Sequence, residues 1–452
     1  MVLVSLSFTL VLFDVIPPKE LSGNYKIEQN APEIKWYKTF GGRDVDQASA
    51  LIQTIDGGYA IGGYTRSYSA GDMDFWLIKT DTNGNEEWNQ TYGGTEDEII
   101  EALLQTYDGG FVLAGYTESF GAGQDDFLLI KTDKNGQTEW YKTYGGTSIE
   151  RAQALISTDD GGFILAGSTY SFGAGHSDFW LVKTDKKGII EWNKTYGGTG
   201  YEVAYDLLHT INGGFAITGT TTSFDYETNN ADFWLVKTDA KGNIMWNKTY
   251  GGLEPESANA LSQTNGGGFL LAGYTGSASL SNGCSDFWLV KTDDKGATIW
   301  NKSYGGWNCD YCYDLIQTPN GGSIITGVTQ SSGLGFSDLW LIKTTRKGVT
   351  LWNETYGGWN DDCGNAIIRT TDGGFAIAGD TDSYGVGDLD FWLVKYPPII
   401  EPSFTSVSLD TSEPPTSLEI PGFHISSLDA LSLIPVLISL STMIIIFKKR
   451  KI

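Results

Sequence analysis

Two kinds of side chain recur in this 452-residue chain at spacings that could do chemistry together: carboxylates and tryptophans. An acid stands four residues past a Gly pair seven times, at Asp46, Glu98, Glu150, Glu202, Glu256, Asp310 and Asp362. Gathered on one rim, such oxygen donors suit a hard cation such as calcium. The same acids could instead accept backbone N–H groups of their own loops and fix the chain there, as acidic side chains do in turns. No two of these equivalent acids stand out as an acid–base couple. Trp307 and Trp359 break the repetition: both lie in G-G-W-N strings, where other copies carry Arg43, Thr95, Thr147, Thr199 or Leu253. With Asn308, Asp310, Asn360 and Asp362 they set aromatic faces beside hydrogen-bonding groups, a combination that stacks on sugars or anchors a protein contact. A duplicated pair of units sharing an idle Trp is the plainer explanation.

The four cysteines, Cys284, Cys309, Cys312 and Cys363, fall in the same C-terminal part of the repeat. In an exported protein disulfides are the default, and direct closure of Cys309 on Cys312 would strain an extended segment. Cys363 aligns one residue before Cys312 on neighbouring inner strands, which favours Cys312–Cys363 with Cys284–Cys309. A four-thiolate zinc site is the rival, although a second C-x-x-C is missing. Asn89, Asn193, Asn247, Asn301 and Asn353 each stand in N-x-[ST]. They are acceptor sites for N-glycans in a glycosylating cell, or simply copies of one duplicated strand. The three histidines, His176, His209 and His424, lie in unrelated contexts, which gives a His-dependent hydrolase little support.

The elements that carry these residues follow from two repeated strings. W-x-K-T-Y-G-G or a close variant places Trp at 36, 88, 140, 192, 246, 300 and 352, and D-F-W-L-[IV]-K or a close variant starts at Asp74, Asp126, Asp178, Asp232, Asp286, Asp338 and Asp390. Between them every unit reads as four alternating segments joined by turn residues, a four-stranded antiparallel meander. The period and strand number predict an all-β, seven-bladed β-propeller of four-stranded antiparallel blades over residues 34–396. The chain enters on the segment 36–40 without its three predecessors and leaves after 390–395 without a successor. The N-terminal strand is therefore expected to complete the last blade as its outermost strand and close the ring. Loops between blades and loops between second and third strands emerge on one face, which gathers the acids, Trp307, Trp359 and the cysteines there, with the acids as a ring around the channel mouth. Trp in the two repeated slots is expected to pack between blades.

The segment 81–88, with Asp81, Gly84 and Trp88, resembles the tryptophan-docking repeat of quinoprotein propellers. It departs by one residue between Asp and Gly, and Thr345 replaces the Asp in the sixth copy. That resemblance implies Trp docking between blades and no quinone cofactor. Residues 34–396 also resemble the G-G-F-x-L-A-G-Y-T repeat proteins of prokaryotic surfaces and secretions. At the C-terminus, Pro421-Gly422-Phe423, an apolar stretch and a basic end resemble the PGF-type sorting signal of archaea, with a permanent anchor as the alternative.

The ends of the chain extend this reading. Residues 1–18 begin as an apolar run, a secretory signal segment or a retained N-terminal anchor. Residues 397–424 form a Pro/Ser/Thr-rich acidic stalk, 425–447 one transmembrane helix long enough for a bilayer core, and 448–452 a basic cytoplasmic tail. A formal charge of -25 excludes nucleic acid, which is bound through clustered Lys and Arg. Together these features predict a cell-surface, membrane-anchored protein whose propeller lies outside the cell. The expected function is a binding or adhesion module for glycan or protein. An extracellular polysaccharide hydrolase or lyase using acids of the same face, and a structural envelope protein, are the alternatives. No cofactor is implied beyond calcium on the acidic ring.

Overall fold

Alternating apolar residues, bounded by Asp-Gly-Gly and Asp-x-x-Gly turns, are what short antiparallel strands require, and they form them throughout. The computed structural model describes residues 31–224, 230–277 and 284–399, and the backbone of Ser417–Ile420 and Phe423–Ser426. The strands Asp46–Gln53, Tyr59–Thr65, Asp74–Thr80 and Glu86–Tyr92 hydrogen-bond in sequence order and make the first blade. Residues 98–144, 150–196, 202–250, 256–304 and 310–356 repeat the same sheet. The seventh joins Asp362–Arg369, Phe375–Thr381 and Asp390–Tyr396 to Trp36–Phe40, which lies outermost. Trp36 pairs with Lys395 and Phe40 with Phe391, antiparallel, so the ring closes as the two incomplete ends of the repeat imply.

The core lies between blades. In the D-F-W string successive side chains point to opposite faces of the strand, so a blade offers Phe to the next blade, or Leu339 in blade six, and Trp to the previous one. The ring centroids of Phe391 and Trp76 are 4.7 Å apart, those of Phe127 and Trp180 4.7 Å, and those of Phe179 and Trp234 4.5 Å, all tilted. Contacts of this kind add about 0.5–1.5 kcal/mol each beyond the area they bury. Blade two has Leu128 in the Trp slot, and it packs in the same cluster as Phe75.

A second contact reaches across the outer strands. The Trp88 ring lies where a β-carbon on Gly136 would sit, and the same glycine has φ +79°. Tyr92 then donates its hydroxyl to the Gly136 carbonyl at 2.7 Å. Tyr144, Tyr196, Tyr250 and Tyr304 do the same to Gly188, Gly242, Gly296 and Gly348 at 2.7–2.8 Å. The recurring Trp and Tyr of the fourth strand are thus one clamp on the following blade.

Apart from the propeller, Ser417–Ile420 pairs antiparallel with Phe423–Ser426. Residues 425 and 426, assigned to the membrane span from sequence, are therefore extended. The rest of that span, the basic tail and the segment 1–18 lie outside the described residues. Among the described residues no helix is long and apolar enough to cross a membrane.

Candidate functional site

The seven acids after the Gly pairs are not offered to a ligand. Asp46, Glu98, Glu150, Glu202, Glu256, Asp310 and Asp362 are all buried, each at the start of its blade's first strand. Glu150 accepts the Gly146 N–H at 2.7 Å, the Thr169 hydroxyl at 2.9 Å and the Ser171 N–H at 3.0 Å. Glu98 repeats this with Gly94, Thr117 and Ser119, and Asp362 with Gly358, Thr381 and the Ser383 hydroxyl. This corrects the expectation of a calcium-binding ring at the channel mouth. Each carboxylate is spent on donors of its own turn, and among the described residues no group of three His, Cys, Asp or Glu side chains is placed to hold a metal.

Trp307 and Trp359 stand out of the same face, 89% and 79% exposed. Phe336, 80% exposed, and Leu334 flank Trp359, because their loop packs at Gly335 against the carbonyls of Gly358 and Asn360. Leu253, at the entry to blade five, and Val386, between the second and third strands of blade seven, are exposed as well. Asn308 and Asn360 hold the loops rather than a ligand: their amides donate to the carbonyls of Gln330 at 2.8 Å and Asp382 at 3.2 Å. Their backbone N–H groups reach the hydroxyls of Ser331 and Ser383. Of the predicted binding set, the two indoles remain available, while Asp310 and Asp362 are withdrawn into the blades.

A disulfide joins Cys284 to Cys309, with Cα atoms 5.0 Å apart, two residues beyond Trp307. The expected Cys312–Cys363 bridge is absent. Cys312 is the third residue of its strand and Cys363 the second of the next blade's. Alternation along a strand therefore points them to opposite sides. Cys312 enters the core between blades five and six, and the Cys363 thiol donates to Asn365 Oδ1 at 3.0 Å. Burial pushes both thiols up.

Sequence reasoning missed the residues that line the channel. A cavity of about 580 Å³ takes Ser49, Glu101, Gln153, Tyr205, Asn259, Tyr313 and Asn365 from equivalent positions of the seven blades, and no basic side chain. Asp206 and Asp314 add carboxyl groups where other blades carry Ala50, Ala102, Ala154, Ala260 and Ala366. Asp206 accepts the N–H of Leu207 and, across the blade junction, of Leu261, each at 2.7 Å. Asp314 treats Leu315 and Ile367 identically. Although these groups keep one side toward the channel, protein surrounds the rest. Burial pushes Glu101, Asp206 and Asp314 up to about 7, and it does the same to Asp380 beside Asn365. The signal was an Ala replaced by Asp in two copies.

Asn89, Asn193, Asn247, Asn301 and Asn353 lie exposed on the outer strands.

No family model matches the chain, and no curated protein matches it. Among solved structures it is similar to the Pan2 WD40 domain of Neurospora crassa, at 12% identity and TM-score 0.48 over 78% of this chain and 90% of that one. It is also similar to BBS1N in complex with ARL6DN, at 9% identity and TM-score 0.48 over 82% and 98%. Sqt1 from Chaetomium thermophilum gives 14% identity and TM-score 0.45 over 77% and 83%. At these identities the likeness concerns the fold alone.

Proposed function

We propose that the chain is a non-enzymatic binding module, displayed outside the cell, that docks a protein partner on the face carrying Trp307 and Trp359. The observation behind this is the set of Trp307, Leu334, Phe336 and Trp359, exposed on a repeat whose other tryptophans are all buried or half-buried. Large apolar side chains exposed on neighbouring loops mark interaction sites, and Trp is enriched where binding energy concentrates. A protein surface fits better than a glycan. The polar groups that would hydrogen-bond a sugar, Asp310, Asp362, Asn308 and Asn360, are engaged within the loops. The disulfide next to Trp307 reduces the ordering cost of binding.

The test compares the full chain with a Trp307→Ala/Trp359→Ala variant against envelope proteins of the source cell and on a glycan array. The variant folds as the parent, since both side chains are exposed, and loses at least about 2 kcal/mol of partner binding, some thirtyfold. A partner bound equally by both proteins would refute this face as the site. Binding on the array that depends on the two Trp would replace protein by glycan.

A further inference from the structure

At the junctions between blades the third-strand aspartate of one blade faces the first-strand acid of the next, across the first glycine of the Y-G-G turn. A β-carbon at Gly93 would collide with both Asp74 Oδ1 and Glu98 Oε2. Gly145 lies likewise between Asp126 and Glu150, and Gly41 between Asp390 and Asp46. The two members of each pair differ in their donors. Glu98, Glu150 and Asp46 are saturated by the turn N–H and the Thr hydroxyl. Asp74, Asp126 and Asp390 receive N–H groups on Oδ2, from Ala70, Ala122 and Val386. Their Oδ1 atoms are buried and accept no hydrogen bond.

We propose that one proton is shared in each of these pairs, carried on the third-strand aspartate and directed at the facing carboxylate. Two ionised carboxylates buried side by side lose hydration and repel, and a single proton relieves both effects while giving the orphaned oxygen its hydrogen bond. The titratable groups that bear on Asp390 are Asp46, Asp382 and the Tyr68 phenol, and that on Asp74 is Glu98, with Asp97 beside it. Near the third pair, Arg151 is bound by Asp125. Burial above all, with the facing acid adding to it, pushes Asp390 up to about 6 and raises Asp74 in the same direction. Asp178 facing Glu202 and Asp338 facing Asp362 are raised for the same reasons.

The sign follows from linkage. A carboxyl raised on folding keeps its proton in the folded chain where the unfolded chain has lost it, so stability falls as pH rises from about 4 to the folded value and levels off above it. The full chain is therefore expected to lose several degrees in its unfolding midpoint between about pH 4.5 and pH 7. The triple variant Asp74→Asn/Asp126→Asn/Asp390→Asn, whose amides donate at every pH, loses less over that window. Infrared spectra at about pH 5 give the direct readout. The parent shows carboxylic-acid C=O absorption that shifts slowly in D₂O, and the triple variant has less of it, the remainder coming from Asp178, Asp338 and Asp380, which are buried and raised as well. The water-facing carboxyls of Glu101, Asp206 and Asp314 exchange quickly and remain in both. Absence of the slow band in the parent overturns the proposal even if the variant does not fold. So would calcium chloride that raises the parent's midpoint at about pH 8 and leaves the variant unmoved, which assigns a cation to the pairs.

Discussion

A single amide explains why Asn recurs on the outer strand. Trp76, Trp180, Trp234 and Trp340 donate their indole N–H to the Oδ1 atoms of Asn89, Asn193, Asn247 and Asn353 at 3.2–3.4 Å. Where Leu128 replaces the Trp, Tyr141 replaces the Asn. Where the closing strand brings Tyr37 to that place, the Trp392 N–H finds no acceptor. Trp288 beside Asn301 also makes none. Asn247→Ala is thus expected to strand a buried indole N–H and cost about 1–2 kcal/mol, whereas Asn301→Ala stays within about 0.5 kcal/mol. Urea unfolding of the two variants checks the difference. Equal losses would mean that the amide acts through strand propensity alone. The N-x-[ST] pattern was legible in the chain, but its structural cause was not, because the bond runs diagonally between two strands and needs their register. The joint change to Leu128 and Tyr141 was the trace it left in the sequence.

For the strands and turns, the closeness of the next blade decides which glycines are indispensable. Gly136 and Gly109 both have positive φ, +79° and +84°. Trp88 covers Gly136, whereas the nearest atom to a β-carbon at Gly109 is Lys134 Cβ at 3.6 Å. Gly109→Ala should therefore cost only the conformational strain, about 1 kcal/mol, and Gly136→Ala clearly more, about 2–3 kcal/mol, since the ring must also leave its seat. Thermal unfolding of both variants measures the gap, and equal midpoints would show that the Trp clamp adds nothing. Strand order and turn chemistry could be read from the repeat because both rest on local residue types. The facing of first-strand side chains could not. A bulge between the third and fifth residues, as at Ala48 and Ala50, breaks the alternation. Counting by twos from Asp46 therefore misplaces everything beyond it, and Glu101, Asp206 and Asp314 were overlooked as channel groups while the buried acids were assigned to the rim.

On the scale of the whole molecule, stability depends on a closure made by five residues. Trp36–Phe40 supplies the outer strand of a blade whose other three strands come from the far end of the domain. Lys35 N–H extends the pairing to the Lys395 carbonyl at 2.8 Å. Trp36 and Phe40 pack on the cluster that contains Phe391, Leu393 and Trp76, and Trp36 also covers Gly84 of blade one. Deleting residues 34–41 removes these contacts together and exposes the strand Asp390–Tyr396 as a new edge. The expected loss is about 3 kcal/mol or more, with aggregation through that edge, well beyond the effect of trimming a frayed terminus. Loss of the segment must be separated from loss of closure. Moving residues 34–41 behind Tyr396 on a short Gly/Ser linker that turns the chain back keeps the same antiparallel strand in the same blade and changes only the chain connection. Urea midpoints and light scattering of the deletion and the transplant decide between the two causes. Closure predicts that the transplant recovers the parent's stability to within about 1 kcal/mol and scatters no more light than the parent. A transplant as weak as the deletion would mean that the N-terminal segment stabilises the propeller by some route other than completing its last blade.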